Sequence, residues 1–472
     1  LKKPIINANI ILKKCPIQKE EWLIMRIFKR KAYEKLLKWK QQDSDRYSLL
    51  IEGARRVGKS TLVEEFARNE YRSYIMIDFA HMSSEVKQCF DDIENIDLFF
   101  LRLQNATGKT LYPHESLVIF DEVQLFPRAR QAMKHLVKDG RYSYIETGSL
   151  ISIKRNVKDI LIPSEEKKIK LYPMDYEEFL WACGNGTYDL VRQLYKTGKP
   201  AGQALNRKLM RDFRLYMAVG GMPQAVEAYI EKKNFAEIDS VKRSIINLYE
   251  DDFRKIDPSG RISSMFHYIP AQLSKDVRRY YITGAVKQVN KPLNTDRLLF
   301  DLIDSQTVNI CYNSTDPRVS LSLTADLSSY KLYIADTGLF LTLMFMDRPE
   351  VQNEIYGAML SDRLPANLGY LYENAAAQII VSYERKLYYH TWNKKGSTHY
   401  FETDFLISAG EKVDALEVKS SGTGKHESLT EFGKVFRRNL KRLVVLSQRD
   451  VSYSNGINYL PIYMLPCFIE DR

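Results

Sequence analysis

Residues 53–60 read Gly-Ala-Arg-Arg-Val-Gly-Lys-Ser, with the apolar run YSLLIEG before them and the helical pattern KSTLVEEFARN after them. This G-x-x-x-x-G-K-[ST] spacing between a strand and a helix constrains the fold more than any other feature of the chain. Its glycines let the backbone curl until successive N–H groups point inward at an oxyanion. The helix that follows adds the partial positive charge of its N-terminus. Lys59 is placed to reach the β- and γ-phosphates of a nucleoside triphosphate, and Ser60 to set its hydroxyl on Mg²⁺. Gly53, Arg56, Val57, Gly58, Lys59, Ser60 and Thr61 are the expected nucleotide contacts, with ATP and Mg²⁺ as cofactors.

A phosphate loop of this kind needs a parallel sheet behind it, and residues 46–174 supply the pattern. The runs SYIMIDF, SLVIFDEVQ, RYSYIETGS and KKIKLYPM read as further strands, alternating with helical stretches such as RARQAMKHLVKDG. Strands alternating with helices predict an α/β domain whose sheet is covered on both faces. LVIFDE is a buried strand tipped by two carboxylates. Asp121 is the expected magnesium partner of Ser60, and Glu122 the expected general base or water-positioning group. At the end of the next strand, Thr147 or Ser149 is the candidate γ-phosphate sensor, and Ser149 equally suits a helix cap. Arg128, Arg130 and Arg155 are candidate arginines for completing the site of a neighbouring copy, which makes an oligomer compatible with the chain.

The 472 residues suffice for two or three domains. No apolar stretch is long enough to cross a membrane. Five scattered cysteines, with no Cys-x-x-Cys pair, suit the reduced thiols of a cytoplasm. Residues 1–24 read as an extension or expression remnant, since Met25 opens MRIFKRKAYEKLLKWK as a natural beginning would. The net charge of +11 is uneven, with eight Lys and Arg against two Glu over residues 418–449. That balance suits a nucleic-acid face, DNA being the expected partner, or a solvated basic face.

After Pro173 the pattern turns helical: DYEEFLWA, NRKLMRDFRLYMAVGG and FAEIDSVKRSIINLYEDDFRKI carry apolar positions three and four apart. Gly220-Gly221-Met222-Pro223 reads as a helix stop and turn. Short helices over 262–330, followed by an expected strand RVSLSLT, suggest a small winged helix. Strands LYYHTW, HYFETDFLIS, DALEVKS and RLVVLS then return the chain to α/β.

The stretch DFLISAGEKVDALEVKSS, residues 404–421, predicts two strands joined by a turn at AGEK. Glu417 and Lys419 then share one face, and a hairpin of this length brings Asp404 beside Glu417. Paired carboxylates attract a hard cation such as Mg²⁺, and a lysine beside them can steady charge on an attacked phosphodiester. This is the arrangement of PD-(D/E)XK nuclease-like domains, with Glu373 in GYLYENAAAQIIV as the additional acid from a preceding helix. The same residues also suit a hairpin bearing a solvated salt bridge. KVFRRNLKRL reads as an amphipathic segment clustering Arg437, Arg438, Lys441 and Arg442.

Taken together, FKRKAYEKLLKWK, GARRVGKSTLVEEFA, LVIFDEVQ, TGSL, LYPMDYEEFL, AVGGMP, KLYIADTGLF and GYLYENAAAQII…TDFLIS…EVKSS resemble a bacterial and archaeal family of AAA-type ATPases, whose members pair the ATPase with a C-terminal domain. The resemblance implies a P-loop ATPase domain over 25–175, a helical and winged-helix segment over 176–330, and a restriction-endonuclease-like domain over 331–472. It gives Lys59, Ser60, Asp121 and Glu122 nucleotide roles, and Glu373, Asp404, Glu417 and Lys419 a nuclease site. Family members often carry a Gly-Arg pair before the LYP strand; here IPSEEKKIKLYP stands instead, so that arginine's role does not carry over.

Overall fold

The computed structural model describes residues 26–148, 165–275, 278–286, 292–348, 352–363, 369–394, 396, 398–422 and 425–471. Ser149 and Arg155 lie outside them, as do the expectations for residues 1–24. The chain divides into two compact units, Leu1–Tyr172 and Pro173–Arg472.

The first unit is built on strands β1 (Ser48–Glu52), β2 (Ser73–Asp78), β3 (Ser116–Asp121), β4 (Ser143–Gly148) and β5 (Glu166–Lys170), all parallel, in the order β2-β3-β4-β1-β5. β1, β3 and β4 are buried along their whole length, which is why LLI in β1 and LVIF in β3 read as apolar runs rather than alternating ones. One face packs on a phenylalanine-rich core that includes Phe79, Phe90, Phe99, Phe100 and Phe120. β4 is inserted between β1, which leads into the phosphate loop, and β3, which ends in the carboxylates. All three strand tips therefore meet at the same end of the sheet.

The second unit begins with helices, among them Gln203–Val219 and Phe235–Ile256, and ends in an eight-stranded sheet. Its strands are β6 (Val308–Ser314), β7 (Ala325–Ile334), β8 (Leu387–Asn393), β9 (Tyr400–Ala409), β10 (Lys412–Val418), β11 (Leu440–Ser447), β12 (Ser452–Ser454) and β13 (Ile457–Pro461), in the order β12-β13-β11-β10-β9-β8-β6-β7. The helix Gly369–Ser382 precedes β8, and Glu427–Val435 joins β10 to the parallel β11.

Two local readings are corrected. RVSLSLT forms turns, and the strand starts at Ala325. Asp316 accepts from both the backbone and the guanidinium of Arg318, and Thr324 Oγ1 donates to the Asp316 carbonyl, so side chains satisfy this backbone as a loop. KVFRRNLKRL is not one helix: the helix stops at Val435 and β11 starts at Leu440. Arg442 turns to the buried Asp414, Nη2 to Oδ2 at 2.9 Å, and leaves the expected basic cluster.

The helical part locks together at Gly220-Gly221. Gly220 sits at φ +87°, and a Cβ there would strike Asp336. A Cβ on Gly221 would strike the backbone of Met174. Asp336 uses the close approach: one carboxylate oxygen takes the Gly221 N–H at 2.6 Å, and the other caps the helix Thr337–Met344 through the Leu339 N–H at 2.9 Å. Gly221→Ala is expected to cost about 1–3 kcal/mol through overpacking, read as faster hydrogen exchange in the helix Gln203–Val219. Exchange equal to that of the wild type would refute the close-approach argument.

Candidate functional site

The phosphate loop is shaped by its neighbours as much as by its own glycines. Gly58 adopts φ +95°, the left-handed region in which a side chain is strained, and opens the helix Lys59–Glu70. Gly53 lies so close to the Leu171 carbonyl that a Cβ would collide with it. Arg56 is exposed, at φ +70°, while Val57 is buried. The buried Arg30 holds this turn from behind: Nη1 donates to the Val57 carbonyl at 2.9 Å and Nη2 to that of Tyr172 at 2.6 Å. The sequence reading missed this role. Arg30 stands in FKRKAYEKLLKWK, far from the loop in sequence, and only an otherwise unexplained arginine just ahead of a helix hinted at it.

Lys59 Nζ donates to the carbonyls of Gly53 at 3.0 Å and Ala54 at 3.1 Å, so a phosphate would compete with the loop's own oxygens for the ammonium. Ser60 Oγ donates to Asp121 Oδ1 at 2.9 Å, joining loop and β3 tip as expected for a shared magnesium. Thr147 Oγ1 donates to the same Asp121 oxygen and accepts from the Glu122 N–H at 3.3 Å. Burial raises the Asp121 carboxyl above its ordinary range, the hydroxyls of Thr147 and Ser60 pull it back, and the nearby Glu122 and Asp78 push it up. An oxygen-only donor set of hydroxyl and carboxylate suits Mg²⁺. Thr61 follows in the first helical turn, half-buried.

Glu122 leaves β3 in the left-handed region, at φ +54°. This turn redirects its carboxylate away from the strand line, where Gln124 Nε2 donates to it. Gln124 was not read as functional; the one signal was a polar residue inside the apolar VQLF. Among the candidate arginines, Arg130 is corrected. It is fully buried, with Nη2 2.8 Å from Glu166 and Nη1 3.7 Å from Glu146, and cannot serve a neighbouring copy. Burial pushes the Glu146 carboxyl up to about 8, Arg130 opposing this and Glu166 adding to it. Arg128 pairs with Asp91 at 2.9 Å on the surface.

In the second unit, β9 and β10 form the expected hairpin, and Phe405 opposite Leu416 continues to Asp404 beside Glu417. Asp404 Oδ2 accepts from the Val418 N–H at 2.7 Å, and Lys419 Nζ donates to Glu417 Oε1 at 2.6 Å. Burial drives the Glu417 carboxyl well above its usual range, and the charges of Asp404 and Glu373 add to this while Lys419 opposes it. Glu373, on the preceding helix, accepts from the Tyr333 hydroxyl at 3.5 Å. Glu373, Asp404, Glu417 and Lys419 thus lie within one electrostatic cluster. The buried Glu417 Oε2 has no hydrogen-bond partner among the described residues, as a carboxylate open to a cation would present. Among the described residues, no three His, Cys, Asp or Glu side chains already stand in a metal-holding geometry. Asp404 is turned to backbone and Glu417 to Lys419.

Comparison with known proteins divides the chain in the same way. Residues 45–180 match a family described as an AAA domain. Residues 210–350 and 368–465 match two families described as domains of unknown function, DUF8612 and DUF4143. No curated protein matches the chain. Solved structures with some likeness include the Pif1 helicase of Candida albicans, at 15% identity, TM-score 0.22, and 39% of this chain against 48% of that one. A STAND ATPase with a tetratricopeptide repeat sensor from Pyrococcus horikoshii aligns at 12% identity, TM-score 0.26, over 77% and 50%. AMPPCP-bound DnaA from Aquifex aeolicus aligns at 11%, TM-score 0.24, over 71% and 93%. The alignment spans about half the length of the helicase and of the STAND protein, and at these TM-scores none carries an argument about function. Among the described residues no helix is long and apolar enough to cross a membrane. The family match and the loop geometry agree on one point: residues 45–180 are an AAA-type ATPase domain.

Proposed function

We propose that this protein hydrolyses ATP and couples its nucleotide state to a C-terminal domain that binds DNA and cleaves its phosphodiester bonds with a divalent metal. In the ATPase domain, Lys59 and the loop N–H groups hold the phosphates, Ser60 and Asp121 hold Mg²⁺, Glu122 orients or deprotonates the attacking water, and Thr147 senses the γ-phosphate. In the C-terminal domain, Glu373, Asp404 and Glu417 hold the metal, and Lys419 neutralises charge on the attacked phosphate. When bound, such a metal supplies a water acidified enough to attack at neutral pH.

The observation that carries the cleavage reading is Glu417. It is a buried carboxylate with one unpartnered oxygen, flanked by Asp404, Glu373 and Lys419. A lone solvated salt bridge has no need of two further acids at that burial. A winged helix within residues 176–330 belongs to the same proposal, supported by the short helices Arg261–His267 and Ile269–Leu273 and the helix Pro292–Asp304. A cytoplasmic setting agrees with Cys89, Cys183, Cys311 and Cys467, all free thiols.

The test is cleavage of single- and double-stranded DNA with Mg²⁺ or Mn²⁺, with and without ATP. Wild-type cutting is expected to disappear in Glu417→Ala and to change with ATP only while Lys59 is intact. The second reading is an ATP-driven switch whose C-terminal domain binds without cutting. It is favoured by the hydrogen bonds that turn Asp404 to the Val418 N–H and Glu417 to the Lys419 ammonium. ATP hydrolysis that is lost in Lys59→Ala, together with no cutting under any condition, would establish the switch and refute the nuclease.

A further inference from the structure

The segment after the helix Ile269–Leu273 is laid along an edge of the eight-stranded sheet. The Tyr280 N–H donates to the Tyr330 carbonyl of the edge strand β7 at 2.6 Å. The Tyr389 hydroxyl donates to the Arg278 carbonyl at 2.6 Å, and the Gln272 side chain donates to the Tyr281 carbonyl at 3.1 Å. With the backbone of residues 278–281 held in this way, the cations on either side of it meet aromatic rings. Arg278 lies 3.7 Å from the centre of the Tyr400 ring, and Arg279 lies 5.3 Å from that of Tyr281. Lys275 stands over Tyr268, its Nζ 3.3 Å from the hydroxyl. Among the described residues none of the three has a carboxylate partner. By contrast, Lys419, Lys434 and Arg442 of the basic segment 418–449 are each held by one.

Beside this strip lies a small pocket of about 20 Å³ lined by Gln272, Arg279, Tyr280, Lys331 and Glu373. Glu373 is one of the acids of the proposed cleavage centre. Lys331 is held by Glu402 at the pocket wall, whereas Arg279 has no acidic partner among the described residues. Cations without acidic partners, interleaved with rings of which Tyr281 is exposed, are the features that follow a single strand: charge for the backbone and a π-face for each base. We propose that Lys275, Arg278, Arg279 and Tyr281 form a track for single-stranded DNA that runs toward Glu373. The proposal rests on the nuclease reading for its direction, but its binding step is measured separately.

The probe is a fluorescein-labelled oligodeoxythymidine, with anisotropy measured on the full chain in EDTA across a salt series. Arg278→Ala/Arg279→Ala is expected to weaken binding roughly tenfold at low salt. It should also shrink the slope of log K against log salt by about 1.4, at about 0.7 per phosphate contact on a single strand. Arg278→Lys/Arg279→Lys should keep the slope, which separates lost charge from a lost fold. An unchanged slope in the alanine pair, or a slope that falls instead in Arg437→Ala/Arg438→Ala, overturns the track; so does a wild type that binds duplex in preference to the single strand. Arginine-dependent binding without cutting in the cleavage assay keeps the track and sinks the nuclease. Cutting with undiminished binding in the alanine pair does the reverse.

Discussion

Glu122→Gln is expected to bind ATP as tightly as the wild type and to hydrolyse it about 10²–10⁴-fold more slowly, the range a positioned general base contributes. The geometry separates the two effects. The phosphates are met by the loop N–H groups and Lys59, whereas Glu122 stands at the tip of β3, turned off the strand by its left-handed backbone. The amide of Gln keeps the size of the side chain and an oxygen for Gln124, and loses only the capacity to take a proton. Lys59→Ala should behave differently, losing binding and turnover together, because the ammonium meets the phosphates in the ground state and more strongly the charge that builds on them in the transition state. Fluorescent-nucleotide binding combined with single-turnover hydrolysis reads both. Wild-type turnover in Glu122→Gln would remove the residue from the chemistry and move the role to another group at the strand tips. Asp121→Asn is the useful partner variant, since it keeps a hydrogen bond from Ser60 while weakening the hold on Mg²⁺.

The ATPase site was legible because its parts are local. Loop, helix start and strand tip are each written within a few residues, and the parallel pairing of β1, β4 and β3 brings them to one end of the sheet. The hairpin of Asp404 and Glu417 was legible for the same reason: a two-residue period and a short turn fix which side chains face each other. What escaped depends on contacts that sequence spacing does not encode. Arg30 meets the loop from 27 residues away and Tyr172 from 142. Arg130 looks like any surface arginine in RARQAMKHLVKDG until Glu146 and Glu166 arrive from two strands to bury it. In the basic run near the C-terminus, the pairing of Arg442 with Asp414 was likewise not encoded in spacing. The less conspicuous Lys275, Arg278 and Arg279 find no described acid.

The proposed sites also carry costs that the rest of each unit must offset. Glu122 holds a left-handed backbone conformation, and Glu417 is a carboxylate kept out of water. Such departures from local preference collect where chemistry is done. Lys242 is a different case. It too is buried and shifted from its ordinary range, yet the partners it meets are structural.

Lys242→Met should therefore destabilise the second unit by about 3–5 kcal/mol at neutral pH, the usual consequence of removing one member of a buried charge network. Lys242 is fully buried on the helix Phe235–Ile256. Its Nζ donates to the carbonyl of Ala218 at 2.8 Å, in the last turn of the helix Gln203–Val219, and to that of Gly338 at 3.2 Å, as well as to the Tyr356 hydroxyl. Asp239 and Asp336, both buried, lie in its field. Methionine fills the volume, leaves the carbonyls without this donor, and strips the two carboxylates of a cation. The pH dependence provides an independent check. Burial lowers the Lys242 ammonium to about 8, against 10.5 for the free side chain, with Asp239 and Asp336 opposing the shift. Between these values the unfolded chain binds the proton that the folded chain has released, so this group adds stability as pH rises. The wild type should gain about 1 kcal/mol over Lys242→Met between pH 8 and 9, a window below the ordinary tyrosine range. Hydrogen exchange in the helix Phe235–Ile256, compared between the two proteins at several pH values, reads the difference locally. A gap that stays constant with pH would mean that Lys242 keeps its proton throughout and that its three acceptors outweigh its burial.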